Sequence, residues 1–409
     1  MSSTPGVVIA GAGHAGSSVA AHLRQYGWKG PICVVGEDAE FPYDRPPLSK
    51  AYLKGEVSRE SLALRLESFY AAHDISIMRS TCITAIDSIN RRVALSSGST
   101  LPYQYLVIAT GSKHRRLNIP GIDLPQVLEL RTLADADKLK LRLKTGKRVG
   151  IIGGGYVGLE VAACVWAAGS RAIVVERENR VLARVASQEL ATFVHAYHCR
   201  QGTQVVLNAQ ATAIEAQHGA VSGIRLHDGT FLPCETVLVG IGAIANDELA
   251  RSAGLACNDG VMVNDGARTS DPYIFAIGDC TRRPVPGYHG TVRLESIPSS
   301  QEQAKQAASS IMGRAATAPT VPWFWSNQFE LRLQIAGLRQ DIKRTFLRGD
   351  PASGSFAVFH LGANSQVQAV EAINSPAEFM VGKALIASGV SISADSEMLP
   401  VAALKQMYL

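Results

Sequence analysis

The chain has no C-x-x-C and no C-x4-C. Its seven cysteines, at positions 33, 82, 164, 199, 234, 257 and 280, are odd in number and scattered. That pattern argues against disulfides, a cysteine metal site or a dithiol redox pair, and for a reducing, cytoplasmic setting. Charged residues make up only 18% of the chain, and the net charge of +5 is mild for this length and excludes little; no nucleic-acid partner is expected. No leader is visible, because Met1 to Gly6 runs straight into a strand-like stretch. The one run long enough for a bilayer, Val149 to Gly169, holds Glu160 and is broken by six glycines. It reads as strand, turn and helix, so no membrane span is expected. With 409 residues, 46% of them hydrophobic, the chain should divide into two or three domains around buried sheets.

The organising stretch is Val7-Val8-Ile9-Ala10-Gly11-Ala12-Gly13-His14-Ala15-Gly16. Branched apolar residues predict a buried parallel strand. The G-x-G-x-x-G follows at once, and Ala15, Val19, Leu23 and Tyr26 then recur at helical spacing. Gly11 permits the tight turn, Gly13 the close approach of a pyrophosphate, and Gly16 close helix–strand packing. The helix N-terminus offers unpaired N–H groups to phosphate. A second strand, Ile32 to Val35, leads to Glu37, 21 residues after Gly16, where a carboxylate accepts ribose hydroxyls.

Phe41-Pro42-Tyr43-Asp44-Arg45-Pro46-Pro47-Leu48-Ser49-Lys50 is a proline-stiffened loop carrying Arg45 and Lys50. Ser49 is positioned to cap a helix near Lys50. Cations placed after a ribose-binding carboxylate fit a cofactor as well as they fit solvent. Short strands are predicted at Ile75–Met78, Ile83–Ile86, Arg92–Leu95 and Tyr105–Ile108, the last ending in Ala109-Thr110-Gly111.

The unit then repeats. Val149 to Ile152 is a strand, and Gly153-Gly154-Gly155-Tyr156-Val157-Gly158 is a second G-x-G-x-x-G with Glu160 on its helix. The next strand, Ile173 to Val175, ends at Glu176, 18 residues after Gly158. Two such units call for two dinucleotides, and flavin with nicotinamide is the pairing expected. Further on, Ile274 to Ile277 is a strand ending in Gly278-Asp279. That Asp can accept ribityl hydroxyls of FAD; alone, it also reads as a helix cap.

Together with Gly11-x-Gly13-x-x-Gly16, the segments Arg45-Pro46-Pro47-Leu48-Ser49-Lys50, Ala109-Thr110-Gly111, Gly153-x-Gly155-x-x-Gly158-x-Glu160, Ala276-Ile277-Gly278-Asp279 and Val321-Pro322-Trp323-Phe324-Trp325-Ser326-Asn327-Gln328 stand in family order. The chain resembles the FAD-dependent, NADH-oxidising ferredoxin reductases of bacterial oxygenase systems, from residue 7 to about residue 375. The resemblance implies a glutathione-reductase-like α/β fold. A discontinuous FAD domain would take 1–112 and 243–318, an NAD domain 113–242, and a C-terminal α/β domain 319–409. It implies FAD contacts at Ala15, Glu37, Lys50, Ile83, Arg131, Asp279 and Ile297, with Arg45, Ala109, Thr110 and Gly278 beside them. It implies NAD contacts at Gly153, Gly155, Gly158, Glu160, Glu176, Arg184 and Gly242. Lys50 and Glu160, on different domains by these boundaries, would form the catalytic pair near the flavin's reactive edge. Some relatives carry a Trp where this chain has Ile297-Pro298.

The implied partner is an acidic [2Fe–2S] ferredoxin feeding a ring-hydroxylating dioxygenase or a haem monooxygenase. Candidate docking residues are Arg65, Arg293, Trp323 and Trp325, with Arg282, Arg283, Lys305, Arg332, Arg339, Lys343 and Arg344 adding positive charge. Alternative readings are a rubredoxin reductase and a redox-sensing interaction protein resembling apoptosis-inducing factor. A thiol-disulfide reductase or a cysteine-based oxidase lacks its cysteines here.

Overall fold

The computed structural model describes residues 4–143, 147–315 and 318–408. These residues cluster into two compact units. The first takes Met1–Asp44, Ala63–Lys113 and Ile244–Phe324; the second takes Arg45–Leu62, His114–Ala243 and Trp325–Leu409.

The first unit is built on a seven-stranded sheet. Its order runs Ile75–Met78, Ile32–Val35, Gly6–Ala10, Thr100–Ile108, Arg92–Leu95 and Ile83–Asp87, with Ile274–Ala276 also paired to Thr100–Ile108. The strand Gly6–Ala10 pairs parallel on both sides, Val7 with Ile32 and with Tyr105. The strand Thr100–Ile108 is longer than its apolar end, Tyr105–Ile108, predicts. Its first residues pair antiparallel with Arg92–Leu95, and its last pair parallel with Ile274–Ala276. Alternation along Gly6–Ala10 sends Val7 and Ile9 to one core, under the helices His14–Gln25 and Ile297–Ile311. Val8 goes to the other, with Leu106 and Ile108. Both faces are covered, so the strand is apolar throughout. Ala15, Val19 and Leu23 are buried as the helical period requires, and Tyr26 is the C-cap residue.

In the second unit a parallel sheet runs Gln204–Val206, Arg171–Val175, Arg148–Ile152, Thr236–Val239 and Val127–Leu128. The helix Tyr156–Ala167 follows the second glycine loop. A second sheet runs Trp323–Gln328, Leu331–Gly337, Val367–Ile373, Ser355–Leu361 and Arg344–Asp350, antiparallel from its second strand onward. Leu159, Leu190 and Val194 share a core with Leu331, Leu333, Phe356 and Ile373, which packs the helices Tyr156–Ala167 and Gln188–Arg200 against that sheet. Two sheets with Rossmann-type parallel strands, the first carrying an antiparallel edge, and a C-terminal α/β part are the glutathione-reductase-like architecture expected.

Candidate functional site

The first glycine loop has the geometry of a phosphate cradle. Gly11 has φ +120° and a Cβ there would lie 2.2 Å from the Ala109 carbonyl oxygen. A Cβ on Gly16 would lie 1.9 Å from the Gly11 carbonyl oxygen, whereas one on Gly13 meets nothing within 4 Å. Two glycines are therefore demanded by the fold, and the third borders open space where a pyrophosphate can approach backbone. Glu37 follows the strand Ile32–Val35 and is exposed. Burial, and then the Glu37 carboxylate, raise the thiol of Cys82, the residue before Ile83. Gly278 has φ +82°, and its Cβ position is 3.1 Å from the Ala15 methyl. Ser112 donates to Asp279 at 3.1 Å. Thr110 donates to the Asn246 carbonyl at 2.7 Å, and the Asn246 amide returns a bond to the Thr110 carbonyl at 3.0 Å. Ser112 and Asn246 are supports that the sequence reading did not single out. The donors, acceptors and open glycine position fit FAD. Ile297 opens the helix Ile297–Ile311, whose N-cap Ser296 accepts from the Ser299 N–H.

The second loop repeats this arrangement. Gly153 has φ +112°, a Cβ on Gly158 would lie 2.2 Å from the Gly153 carbonyl oxygen, and Gly155 borders open space. Glu176 Oε2 accepts from the Gly154 N–H at 2.7 Å and Oε1 from the Glu178 N–H at 2.9 Å. The carboxylate is thus anchored to the loop by two backbone donors and keeps lone pairs for ribose hydroxyls. Arg184 lies over Gly242: a Cβ on that glycine (φ +103°) would be 2.8 Å from Arg184 Nη2. The Leu182 N–H reaches the Gly154 carbonyl at 2.9 Å, docking the segment that bears Arg184 onto the loop. These residues fit a pyridine nucleotide.

The third constellation is the charge pair. Lys50 Nζ lies 2.7 Å from Glu160 Oε2, with side-chain exposures of 17% and 4%. Lys50 also donates to the Pro46 carbonyl and to Ser49 Oγ, at 3.3 and 3.2 Å. The two prolines form a short 3-10 turn, Pro46–Ser49, ahead of the helix Ala51–Lys54. Ser49 does not cap that helix, as the sequence suggests. Its hydroxyl donates instead to Glu160 at 2.5 Å, because a buried carboxylate is the stronger acceptor. The turn is pinned to the helix Tyr156–Ala167 by the Cys164 thiol, 3.2 Å from the Ser49 carbonyl. Hence Lys50 and Glu160 come from one compact unit, not from two. Arg45 donates to the Arg131 carbonyl at 2.8 Å, and Asp135 accepts from the Thr132 N–H at 2.9 Å, capping the helix Leu133–Leu143.

The surface candidates fare unevenly. Arg283 is buried and paired with Glu302 at 3.1 Å, so it leaves the set of docking cations. Arg293 pairs with Glu295 and lies 3.5 Å from Asp259. Arg65 donates to Ser17 Oγ at 3.0 Å and lies over the Phe69 ring. Trp323 and Trp325 are half-buried. All seven cysteines are free, and burial raises every thiol, Cys33 and Cys234 to about 11 and Cys164 to about 12. At neutral pH they are protonated and poor nucleophiles. Among the described residues no acidic, His or Cys cluster is placed to hold a metal ion, and no helix is long and apolar enough to cross a membrane.

Residues 5–304 match the pyridine nucleotide-disulphide oxidoreductase family, and residues 323–408 match the reductase C-terminal domain. The chain belongs to the pyridine nucleotide-disulphide oxidoreductase family, and its cofactors are FAD and a pyridine nucleotide. It is 45% identical over 387 residues to a probable ferredoxin reductase, CtmF, of Castellaniella defragrans, covering 94% of each chain. It is 39% identical over 391 residues to the putidaredoxin reductase CamA of Pseudomonas putida, covering 94% of this chain and 92% of that one. A chain in the crystal structure of the covalent putidaredoxin reductase–putidaredoxin complex superposes with TM-score 0.96 at 37% identity, with 99% of each chain covered.

Proposed function

We propose that this chain oxidises NADH through bound FAD and passes the electrons singly to a [2Fe–2S] ferredoxin that feeds a bacterial oxygenase. One observation carries the reading: two glycine loops, each open at its central glycine and followed by a strand ending in a carboxylate, in a chain without a reactive thiol. Two dinucleotides and no thiol carrier require an external electron acceptor. FAD, when bound, would take one hydride, two electrons, and release them one at a time, a conversion nicotinamide cannot make.

The chain's residues bind and orient. Gly13 would let the FAD pyrophosphate approach the backbone at the start of the helix His14–Gln25, in a loop shaped by Gly11 and Gly16; Glu37 would accept from the adenosine ribose, and Asp279, held by Ser112, from the ribityl chain. Gly155 would do the same for the NADH phosphates, in a loop shaped by Gly153 and Gly158, with Glu176 on its ribose and Arg184 beside Gly242. Lys50 places an ammonium where reduction builds negative charge, and Glu160 keeps that ammonium oriented.

Anaerobic mixing of the FAD-loaded protein with NADH and an acidic [2Fe–2S] ferredoxin tests this directly. Many ferredoxin reductions per flavin are expected, followed by loss of the ferredoxin's visible absorbance. A stable NADH complex with negligible turnover would instead make the chain a redox-sensing interaction protein. Faster turnover with rubredoxin than with ferredoxin would reassign its acceptor.

A further inference from the structure

Glu160 is held from a second side, by residues outside the glycine loop and the proline-stiffened turn. Its Oε1 accepts from the Ser326 hydroxyl at 2.6 Å. Ser326 Oγ in turn lies 3.1 Å from Gln328 Nε2, and Gln328 Oε1 lies 2.9 Å from His198 Nε2. Ser326 is 0% exposed, Gln328 2% and His198 0%, so no water competes for these bonds. All four residues belong to the second compact unit.

The donor–acceptor inventory gives this row one direction. An ionised carboxylate only accepts, so Ser326 gives its single proton to Glu160. Ser326 therefore accepts from the Gln328 amide nitrogen. That turns the amide oxygen toward His198, which must carry its proton on Nε2; its Nδ1 has no hydrogen-bond partner. Every donor in the row points toward Glu160. On the opposite oxygen stand the Ser49 hydroxyl and the Lys50 ammonium. Both carboxylate oxygens are thus occupied, and the carboxylate plane is set from two elements.

We infer that Ser326, backed by Gln328 and His198, is a positioning residue for the Lys50–Glu160 pair. It holds the carboxylate turned so that its Oε2 faces Lys50. This rests on the role proposed above for that pair. The alternation of the strand Trp323–Gln328 puts Ser326 and Gln328 on the face opposite Trp325 and Asn327. One strand therefore supports the charge pair with one face while presenting its tryptophans on the other.

The test compares Glu160→Gln, Ser326→Ala, their double variant and Ser49→Ala, each loaded with FAD. The readouts are the flavin's midpoint potential, the dissociation constant for NADH, and the rate constant of flavin bleaching at saturating NADH. FAD content and thermal midpoint control for folding. Ser326→Ala is expected to slow bleaching several-fold and shift the potential downward, with NADH affinity unchanged. In the double variant it should add nothing to Glu160→Gln, since the two act through one carboxylate. Ser49→Ala should act in the same direction from the other oxygen. If Glu160→Gln is slow while Ser326→Ala keeps the normal rate and potential, the inference falls and the role of the pair stands. Effects that multiply in the double variant also overturn it, because Ser326 would then act elsewhere. If Glu160→Gln itself behaves as the unmodified protein, the reading of the pair fails, and the inference with it.

Discussion

At the residue scale, the proposed preference for NADH over NADPH turns on Glu176. Its carboxylate is anchored by the Gly154 and Glu178 N–H groups, so it cannot swing away from a 2′-phosphate. A fixed negative charge accepts a 2′-hydroxyl and repels a phosphate. NADH should therefore exceed NADPH by about tenfold or more in kcat/KM, about 1.4 kcal/mol of transition-state preference. The neighbouring Arg177 does not cancel this, because its guanidinium is 3.0 Å from Glu178 Oε1. Steady-state kinetics with the two nucleotides decide the matter: Glu176→Ala should narrow the ratio, and equal use of both by the unmodified protein would remove Glu176 from the ribose site.

At the scale of the element, the second glycine loop separates two kinds of glycine that look alike in the motif. A Cβ on Gly158 would collide with the Gly153 carbonyl at 2.2 Å, while one on Gly155 meets nothing. Gly158→Ala should distort the loop, lowering the thermal midpoint as well as abolishing NADH binding. Gly155→Ala should leave the midpoint alone yet weaken NADH, because its methyl group occupies the approach of the pyrophosphate. Both should keep FAD, since the first loop is untouched. Calorimetry with NADH, alongside thermal unfolding and flavin absorbance, distinguishes them; a Gly155→Ala protein with normal NADH affinity would remove that position from the phosphate site. The segment that bears Arg184 is braced from the C-terminal sheet. Glu371, fully buried, accepts from the Ser187 N–H at 2.9 Å, at the N-cap of the helix Gln188–Arg200, three residues beyond Arg184.

For the molecule as a whole, two properties follow from charge. Burial lowers His198 to about 4, against a weaker upward pull from its bond to Gln328. The folded chain keeps it neutral while the unfolded chain protonates it below about 6.5. Its contribution is therefore complete above pH 6.5 and is lost as pH falls through that window toward 4, by about 3 kcal/mol. Urea unfolding at pH 7 and pH 4.5 should show a steeper loss for the unmodified protein than for His198→Gln; equal losses would mean that His198 does not govern the acid limb. The second property is steering. Arg282, Arg283, Arg293, Arg339 and Arg344 each face a carboxylate, while Lys305, Arg332 and Lys343 are exposed and outside these five ion pairs. With a net charge of +5, reduction of an acidic ferredoxin should still slow several-fold from low to about physiological ionic strength, while bleaching of the flavin by NADH barely changes. Equal salt responses would place docking on apolar contact, with Trp323 and Trp325 the next residues to replace.

Both glycine loops, their carboxylate-ended strands, the Gly278-Asp279 strand end and the lack of a redox thiol pair were legible in the sequence, because each depends on residues adjacent along the chain. Backbone geometry at Gly11 and Gly153 and the period of two along Gly6–Ala10 are local consequences of residue type. What joins distant segments was decided by tertiary structure alone. Ser49 looked like a helix cap until a buried carboxylate 111 residues away offered a better acceptor. Arg283 looked like a surface cation until Glu302 on the helix Ile297–Ile311 enclosed it. Ser326, Gln328 and His198 carry no spacing signal toward Glu160, since their bonds form only when a C-terminal strand, a helix and the second glycine unit are packed together. Local physics specified which dinucleotides the chain can hold; burial and the pairing of distant polar groups specified how the Lys50–Glu160 ion pair is held in place.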